Sequence, residues 1–583
     1  MRAVALLAFL TALSAGLLLR VWNLPAQILS DDEMHTVRAA VHEPVSRILV
    51  TYQLTDNCIP LTALFRSLLD LGVRPTEMTL RLPVVLSGVL LLLVAPGWAA
   101  RRLGRGPALA LAALLAVSPG LVFYSRIARS YAPVVLFGFG AVAAFEAWWR
   151  RPSWTTGSLY VALAALAVWF HLGAGPFVVA PFLFALGDVA VDRDWKRLRP
   201  LLLLGLATAA AFLAFLGPAL DSLLLLIDSK HGELDLGMAA VLDVLRLQAG
   251  SALPAVAVLF WLVTLTGFVR LLRLDRRLAL YTATVVLGHL AGLLILAPES
   301  HEVAHIFHRY TLIASPWVLL WAAIALGQPW GASVFARRAR PLAATGAVAL
   351  LLLAGPLPDP DLRRSSFAHH NDYLAFQAPR PDPPRRWMPR FYQHLMRSDD
   401  QGVILEYPWV PVWRLNRSFY LYQEHHGRQV VVASPRQVLG DPRLGFRNQV
   451  RGHAEGFLES RARWLVIHRD LGEEEARWPE PAAFPQPEVL PRFRRLFEHA
   501  GPAMIRRLRR AWGRPDHADR RVVVWDLERV RREGERRLEP GQGAAAFRRP
   551  LREESRERDQ QQIGVFSHEP HEPPTQQRRW PTP

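Results

Sequence analysis

Residues Leu82–Ala100 have the sequence LPVVLSGVLLLLVAPGWAA, and residues Ala108–Phe123 have the sequence ALALAALLAVSPGLVF. At 1.5 Å of helical rise per residue, runs of about this length cross a hydrocarbon layer of about 30 Å. Similar runs recur between residues 3 and 356 and are nearly absent afterwards. The 583-residue chain is therefore predicted to be mainly α, with a polytopic transmembrane helical domain followed by a smaller α/β domain.

The hydrophobic pattern predicts about eleven membrane spans within residues 1–356. They cover roughly residues 3–20, 82–100, 107–123, 132–148, 156–171, 174–191, 200–226, 253–270, 278–297, 310–327 and 341–356. The first run has the features of a signal peptide, since Arg2 precedes an apolar core. We interpret it as an uncleaved anchor, because a multi-span chain needs no separate signal.

The distribution of basic residues predicts the orientation of these spans. With the N-terminus in the cytoplasm, the inner loops carry sixteen Lys and Arg residues and the short outer loops carry five. This orientation is favoured because cytoplasmic loops of membrane proteins carry the excess of Lys and Arg. An odd number of spans then places the C-terminal domain outside the cytoplasm, together with the long first loop, residues 21–81.

The composition is strongly basic, with a formal net charge of +18 and a sequence pI of about 10.9. The excess lies in the predicted inner loops and in a basic tail, so it needs no nucleic-acid partner. Lys196 and Lys230 are the only lysines, and so much Arg, Ala, Leu and Pro indicates a GC-rich bacterial genome. The predicted location of the multi-pass chain is therefore the inner membrane of a bacterial cell. The single cysteine, Cys58, excludes an intramolecular disulfide and any cysteine-based metal cluster.

Short apolar runs after residue 390 predict the strands of an extracytoplasmic α/β domain, residues 391–530. They cover residues 402–408, 430–433, 464–468 and 521–525, with amphipathic stretches such as Glu455–Arg463 between them. No Gly-rich phosphate loop follows any of these strands, so a dinucleotide-binding fold is not supported. Residues 357–390, rich in Pro and Arg, are predicted to be a linker, and residues 531–583, with little apolar content, a disordered tail.

Acidic residues open the first outer loop, at Asp31, Asp32 and Glu33. Three acids at a membrane surface are costly unless they are solvated, paired or bound to a metal. One interpretation is a helix N-terminus, in which Ser30 or Asp31 caps the helix and Asp32 and Glu33 lie in its first turn. The other is an active site, and both hold together if the start of the helix presents an acid to that site.

Further polar residues lie at the predicted outer ends of later spans. Asp56 lies in the first loop, Arg129 and Tyr131 follow span three, and Arg309 and Tyr310 come at the start of span ten. Arginine beside tyrosine suits a phosphate group, because a guanidinium binds phosphate oxygens in bidentate geometry. The alternative for each arginine is snorkelling to the lipid headgroups.

Two other outer segments have recognisable patterns. Residues Leu61–Leu71 form an amphipathic run with Arg66 and Asp70 on its polar side. The run is too short to span a membrane, and it is predicted to lie in the membrane interface. Residues His301–His305 match the H-E-x-x-H pattern of zinc proteases. A metalloprotease is not favoured, because its mechanism needs a buried helix and a third ligand, but metal binding without proteolysis stays open.

The order of these elements resembles the GT-C superfamily of membrane glycosyltransferases. It is most similar to bacterial relatives of protein O-mannosyltransferases and of the aminoarabinose transferase that modifies lipid A. The features that carry the resemblance are Asp32-Glu33 after span one, Pro60-Leu61 before the interfacial helix, Glu77-x-x-x-Arg81-Leu82-Pro83 entering span two, Arg129-x-Tyr131 after span three, and Arg309-Tyr310 followed by Pro316 in span ten. The resemblance covers residues 1–356 and, more weakly, residues 391–530.

The resemblance implies an enzyme that transfers a sugar from a polyprenyl-phosphate donor to a lipid, glycan or protein acceptor outside the cytoplasm. Asp32 would be the general base that takes the proton of the acceptor hydroxyl, and Glu33 would orient it or the acceptor. The donor phosphate develops negative charge as it leaves, and it would be bound by arginines and tyrosines. These residues would be Arg129, Tyr131, Arg309 and Tyr310. A single displacement of this kind inverts the anomeric carbon.

Two questions remain open in the sequence. Asp56 would be the second loop acid that relatives place near the donor, and a divalent metal cofactor is optional in this superfamily.

The main alternative function is a polytopic transporter or lipid-linked glycan flippase. Transporters usually place ionisable groups near the membrane midplane, whereas the charges here cluster at one face, with Asp221 and Asp228 as exceptions.

Overall fold

Helices account for most of the chain as far as Ala354 in the computed structural model. It describes residues 2–22, 24, 33, 36–37, 39–40, 43–52, 58–73, 76–230, 238–251, 253–296, 304–328, 344–350, 352–355, 357, 388–408, 422, 426, 428, 430–434, 449–460, 462–470 and 489–536. The helices of the first part are α1 (Arg2–Val21), α2 (Val45–Ile48), α3 (Ile59–Asp70), α4 (Glu77–Leu103), α5 (Arg105–Val117), α6 (Pro119–Tyr124), α7 (Tyr131–Arg150), α8 (Trp154–Phe170), α9 (Gly175–Asp192), α10 (Leu198–Leu216), α11 (Leu220–Lys230), α12 (Met238–Ala249), α13 (Pro254–Leu274), α14 (Arg276–Leu296), α15 (Ala304–Thr311), α16 (Ser315–Gly327) and α17 (Ala344–Ala354).

Each of the eleven predicted spans corresponds to a helical stretch. Among the described residues, eight stretches are long and apolar enough to cross a membrane. The shorter apolar helices α5, α8 and α17 stand at the other three positions. The prediction of a mainly α, multi-pass domain is therefore confirmed, and the orientation of its termini stays a prediction.

Prolines interrupt two of the spans that the sequence predicts as single helices. Span three breaks at Pro119, between α5 and α6, and span seven breaks at Pro218, between α10 and α11. Proline has no backbone N–H and its ring crowds the preceding turn, which favours a break at these two positions, although α4 continues through Pro83 and Pro96. The break at Pro119 comes shortly before Arg126 and Arg129, and it therefore shapes the loop that carries them.

Ion pairs gather at one end of the bundle, which we call the lower end. Arg102, in the last turn of α4, pairs with Glu146 of α7 at 3.0 Å and with Asp275, the residue before α14. Asp188 of α9 pairs with Arg277 of α14. These contacts join four helices where the sequence predicts the arginine-rich inner loops. The opposite end, which we call the upper end, holds the residues that follow α1 and the junction of α6 and α7.

Short amphipathic helices pack together on the described part of the long first loop. Ile48 of α2, Ile59 of α3 and Leu223 of α11 are buried in one apolar cluster. The amphipathic helix that the sequence predicts at residues 61–71 is present as α3, and its polar side carries the Arg66–Asp70 ion pair at 2.5 Å. The first loop is thus packed against the bundle at both α2 and α3.

Helices α13 and α16 approach each other backbone to backbone. A Cβ atom at Gly267 of α13 would lie 1.7 Å from the carbonyl oxygen of Trp321 in α16. Small residues allow this contact, which is typical of helix pairs in membranes. The packing holds α16 in place, and α16 follows directly on the turn after Arg309 and Tyr310.

The second part of the chain is built around a six-stranded sheet. Its elements are α18 (Arg390–Leu395), β1 (Ile404–Tyr407), β2 (Val430–Ser434), β3 (Gln449–Arg451), α19 (Ala454–Glu459), β4 (Trp464–His468), α20 (Val489–Trp512), β5 (His517–Ala518), β6 (Val522–Asp526) and α21 (Leu527–Arg536). The strand order is β3-β2-β1-β4-β6-β5, with β1 to β4 parallel and β6 antiparallel to both β4 and β5. The four predicted strands are present, whereas the short edge strands β3 and β5 are not predicted by the sequence.

Polar side chains fill the centre of this sheet on the face covered by α18. The strand order reverses between β1 and β4, which is where open doubly wound sheets usually bind ligands. At this position Glu406 of β1 accepts hydrogen bonds from the Tyr392 hydroxyl at 2.7 Å and from His468 Nε2 at 2.9 Å. All three side chains are fully buried, so this group is part of the domain core.

The last helix extends beyond the predicted end of the domain. The sequence predicts disorder from residue 531, whereas α21 continues to Arg536. Leu527 and Val530 are buried, and the Arg531 side chain donates to backbone carbonyls, including that of Ser460 at 2.6 Å. Tertiary contacts of this kind are not visible in local composition. Residues 537–583 lie outside the described residues, as do residues 358–387 of the predicted linker.

Candidate active site

A buried ion pair holds the segment that follows α1. Arg81 of α4 donates from Nε to Glu33 Oε1 and from Nη2 to Glu33 Oε2, both at 2.8 Å. Glu33 Oε1 also accepts the backbone N–H of Ala128 at 2.7 Å, and Arg81 Nη1 donates to the Leu24 carbonyl at 3.0 Å. Both charged side chains are 0% exposed. Both oxygens of Glu33 therefore face protein donors, which makes Glu33 a positioning group.

The predicted base, Asp32, and the predicted second acid, Asp56, lie outside the described residues. Glu33 follows Asp32 directly in the chain, and Thr36 lies a few residues further on. Thr36 Oγ1 accepts a hydrogen bond from Arg129 Nη1 at 2.9 Å, and both residues are buried. The chain after Asp32 is therefore tied to α4 and to the loop that precedes α7.

Three of the predicted phosphate-binding residues line one small cleft. Tyr131, Arg309 and Tyr310 line it together with His171. Arg309 Nη1 donates to the Tyr131 hydroxyl oxygen at 3.3 Å, and the His171 ring centroid lies 6.0 Å from that of Tyr131 and 5.6 Å from that of Tyr310. The Tyr131 oxygen accepts from arginine, so its own O–H can donate to a ligand. The fourth residue, Arg129, is close enough to act electrostatically on His171, as Arg309 does.

Local contacts set the positions of the segments around this cleft. His289 Nε2 of α14 donates to the Tyr310 carbonyl at 2.9 Å, which anchors the end of α15. The Gly173 N–H donates to His171 Nδ1 at 3.1 Å, and a Cβ at Gly173 would lie 3.3 Å from the Tyr310 ring. On the other side, the Tyr124 ring packs edge-on against Tyr131 at 4.9 Å between centroids. Three separate turns are therefore held against one another.

Cationic groups outnumber carboxylates among the described buried residues at the upper end. Arg20, Arg81, Arg126 and Arg129 are buried there, with Glu33 as the buried carboxylate. Two of these arginines bind helix ends, where the backbone dipole favours a positive charge. Arg20 Nη2 donates to the Leu115 carbonyl of α5 at 3.2 Å, and Arg126 Nη1 donates to the Leu19 carbonyl of α1 at 2.9 Å. The summed charge attracts an anionic ligand to this end of the bundle.

Burial lowers the pKa of Arg126 but leaves its charge in place. Desolvation, together with the nearby charges of Arg81 and Arg20, lowers the pKa of Arg126 from its usual 12.5 to about 9. The group is still protonated at neutral pH. Its contacts with backbone carbonyls make it part of the site's support, which distinguishes it from Arg309 in the cleft.

The sequence pattern does not mark two residues that the structure places in the site. Arg81 appears only as part of a motif entering span two, and its pairing with Glu33 joins positions 48 residues apart. His171 lies at the junction of two spans, where a histidine is more often packed than functional. Its position directly before Leu172-Gly173, at a break between helices, is the local signal that could have identified it.

The described residues give no support for a resident metal. Among them, no group of three His, Cys, Asp or Glu side chains could hold an ion. The H-E-x-x-H segment, His301–His305, lies largely outside the described residues.

Comparisons with known proteins give similarities to solved membrane enzymes. No family model matches the chain, and no curated protein matches it. The structure of ArnT from Cupriavidus metallidurans in the apo state is 14% identical, with a TM-score of 0.41 over 90% of this chain and 96% of that chain. The same protein bound to undecaprenyl phosphate is also 14% identical, with a TM-score of 0.40 over 90% of this chain and 97% of that chain.

A third similarity is to the oligosaccharyltransferase of Archaeoglobus fulgidus in complex with Zn and sulfate. It is 14% identical, with a TM-score of 0.36 over 81% of this chain and 70% of that chain. At such identities and TM-scores the similarities transfer no residue role and no substrate to this chain.

Proposed function

We propose that this chain is a multi-pass membrane glycosyltransferase of the GT-C kind that transfers a sugar from a polyprenyl-phosphate donor to an acceptor hydroxyl. The observation that carries the proposal is the cleft shared by Tyr131, His171, Arg309 and Tyr310 at the cationic upper end of the bundle. Arginine and phenolic O–H groups together suit a phosphate. The apolar helices around the site would leave the polyprenyl chain in the lipid.

The proposed reaction is a single displacement at the anomeric carbon of the donor sugar. The acceptor oxygen attacks that carbon while its proton passes to the Asp32 carboxylate, which acts as general base. The bond between the anomeric carbon and the phosphate oxygen breaks, and polyprenyl phosphate leaves with the electron pair. Attack opposite the leaving group inverts the anomeric configuration. The acceptor is a lipid, a glycan or a protein.

Arg129 and Arg309 stabilise the negative charge that develops on the leaving phosphate, with Tyr131 and Tyr310 as neutral donors. Such groups accelerate a reaction when they are held in position before it begins. Glu33 accepts hydrogen bonds from Arg81 and from the Ala128 N–H. These bonds hold the chain next to Asp32 in position before the reaction begins. We therefore assign Glu33 to positioning and Asp32 to proton transfer, with Asp56 as a second acid near the donor.

The proposed site lies outside the cytoplasm. Arg102 and Arg277 lie at the lower end, together with the predicted inner loops, which carry sixteen Lys and Arg residues against five in the short outer loops. The positive-inside rule makes that end cytoplasmic. The upper end, with its cleft, then faces the side on which polyprenyl-phosphate sugars are consumed by enzymes of this superfamily.

The decisive experiment is sugar transfer in membranes supplied with a labelled polyprenyl-phosphate sugar pool. Wild type, Asp32→Asn and Asp31→Asn are compared at matched protein level. Asp32→Asn should lower transfer by at least about 100-fold, the usual contribution of a general base. Asp31→Asn removes the same charge from the neighbouring position and should keep transfer within a few-fold of wild type. Undecaprenyl phosphate, the lipid seen bound to the Cupriavidus ArnT, is the first carrier to test.

Two results would count against this assignment. Full transfer by Asp32→Asn would remove Asp32 from the mechanism and leave the reaction class standing. Absence of transfer by abundant, folded wild type, with a broad lipid extract as donor, would favour the flippase alternative. Movement of the labelled lipid across the bilayer of reconstituted vesicles would then be measured directly.

A further inference from the structure

Four exposed arginines cluster at the C-terminal end of helix α20 in the α/β domain. Helix α20 carries seven arginines and a single glutamate in its sequence. In its second half Arg506, Arg509 and Arg510 are exposed, and Arg514 follows in the turn after the helix. The spacing i, i+3 and i+4 places the first three on one side of the helix. We refer to these four residues as the arginine face.

The arginine face has no acidic partner in the described part of the chain. None of its four side chains forms an ion pair there. By contrast, Arg463 and Arg529 of the same domain pair with Asp400 and Asp516 at 3.1 and 2.9 Å. Isolated like charges three and four residues apart repel one another, so a helix gains nothing in stability from this arrangement.

The opposite side of α20 is already occupied by the sheet. Met504, Leu508 and Trp512 are buried in the apolar core between α20 and the strands. A Cβ atom at Gly501 would lie 1.9 Å from the carbonyl oxygen of His468 at the end of β4. This close contact leaves no room for α20 to rotate about its axis. The arginines are therefore held pointing away from the domain.

We infer that the arginine face docks the α/β domain on anionic phospholipid headgroups of the membrane that the same chain spans. Arginine binds phosphate oxygens through several N–H groups at once, and the exposed apolar side chain beside the face, that of Ala503, is too small to anchor a protein partner. Each basic residue near an anionic surface strengthens attachment by about fivefold. Four of them act together on one small surface.

The predicted linker raises the effective concentration of the membrane surface around the arginine face. Residues 358–387, thirty in number, connect the domain to α17. A chain of this length keeps the domain within roughly 100 Å of the bundle, so the membrane surface is always present at high effective concentration. Docking would then hold the domain beside the bundle. The inference does not depend on the proposed enzymatic function, nor on which side of the membrane the domain occupies.

The test uses the full chain in nanodiscs. A nitroxide label is placed at Ala503→Cys, an exposed position on the same side of α20, in a Cys58→Ser background. Its collision rate with a nickel-chelating lipid is measured in discs of phosphatidylglycerol and in discs of phosphatidylcholine. We expect strong contact only in phosphatidylglycerol, with loss of contact at 1 M salt, where charges are screened within about 3 Å.

A pair of charge-matched variants identifies the surface. Arg506→Gln with Arg510→Gln should shift the balance towards the undocked state about 30-fold. Arg390→Gln with Arg397→Gln removes the same charge from exposed positions at α18, which covers the other face of the sheet, and should leave contact unchanged. Equal contact in both lipids, no contact in phosphatidylglycerol, or equal loss in the two double variants would each overturn the inference.

Discussion

Replacing Glu33 by glutamine should destabilise the helical domain strongly, although the two side chains have nearly the same shape. Among its contacts with described residues, Glu33 accepts hydrogen bonds from Nε and Nη2 of Arg81 and from the Ala128 N–H. A glutamine with its oxygen towards Ala128 turns its NH2 group towards Arg81 Nη2, so two donors face each other. The opposite amide orientation places the NH2 group against Arg81 Nε and the Ala128 N–H. Either way the buried guanidinium loses its counter-charge.

The expected cost follows from the burial of the pair. Both side chains are 0% exposed, and breaking a buried ion pair by removing one partner costs about 3–5 kcal/mol. At about 2 °C per kcal/mol, the midpoint of thermal unfolding in detergent should fall by roughly 6–10 °C. Glu43→Gln is the control in the same loop. Glu43 pairs with Arg47 at 3.4 Å, with side-chain exposures of 23% and 67%, and such a pair contributes only about 0.3–0.5 kcal/mol.

A double variant separates lost pairing from lost packing. Glu33→Gln with Arg81→Met removes both charges, and replacing a buried pair by neutral groups is often tolerated. We expect the double variant to be more stable than Glu33→Gln alone. A Glu33→Gln midpoint within 1 °C of wild type, or effects of Glu33→Gln and Arg81→Met that simply add in the double variant, would show that the ion pair does not hold this segment.

Two further predictions concern a close helix contact and a buried hydrogen-bonded carboxylate. Gly267→Ala would place a methyl group against the Trp321 carbonyl and should cost about 3 kcal/mol in thermal unfolding, whereas Gly187→Ala, with no atom within 4 Å, should be neutral or slightly stabilising. If both alanine variants behave alike, the contact between α13 and α16 is looser than described. In the α/β domain, Glu406→Ala should leave buried donors unpaired and speed proteolysis of the domain in the full chain by at least 100-fold, against no change for the exposed Glu459→Ala. Equal proteolysis rates would remove Glu406 from the stability of the core.

The spans were predictable because hydropathy is a local property of the chain. A helix in a bilayer must be apolar along its whole length, so each span is visible in its own twenty residues. The same applies to β1, β2, β4 and β6, whose buried runs are dense in β-branched and other apolar residues. Edge strands of two or three residues carry too little apolar content to be seen.

The candidate site was only partly predictable from the sequence. Arg309 and Tyr131 could be singled out by residue type and by the ends of their spans, and the structure brings them within hydrogen-bond distance. The assignment of Glu33 to positioning required the structure, because it depends on Arg81, 48 residues away. Asp32 stays a prediction from the ordered motifs.

The sequence by itself determined which segments are apolar enough to enter the membrane, which short runs form the central strands of the sheet, and which charged residues lie at the ends of spans. These properties depend on short stretches of chain and on the cost of placing charge in hydrocarbon. Only the tertiary structure decided which of these residues lie close enough to form one site. The turns before α7, before α9 and before α16 place Tyr131, His171 and Arg309 around one cleft. Contacts between residues of separate helices result from the packing of whole helices against one another, and a local sequence pattern does not predict them.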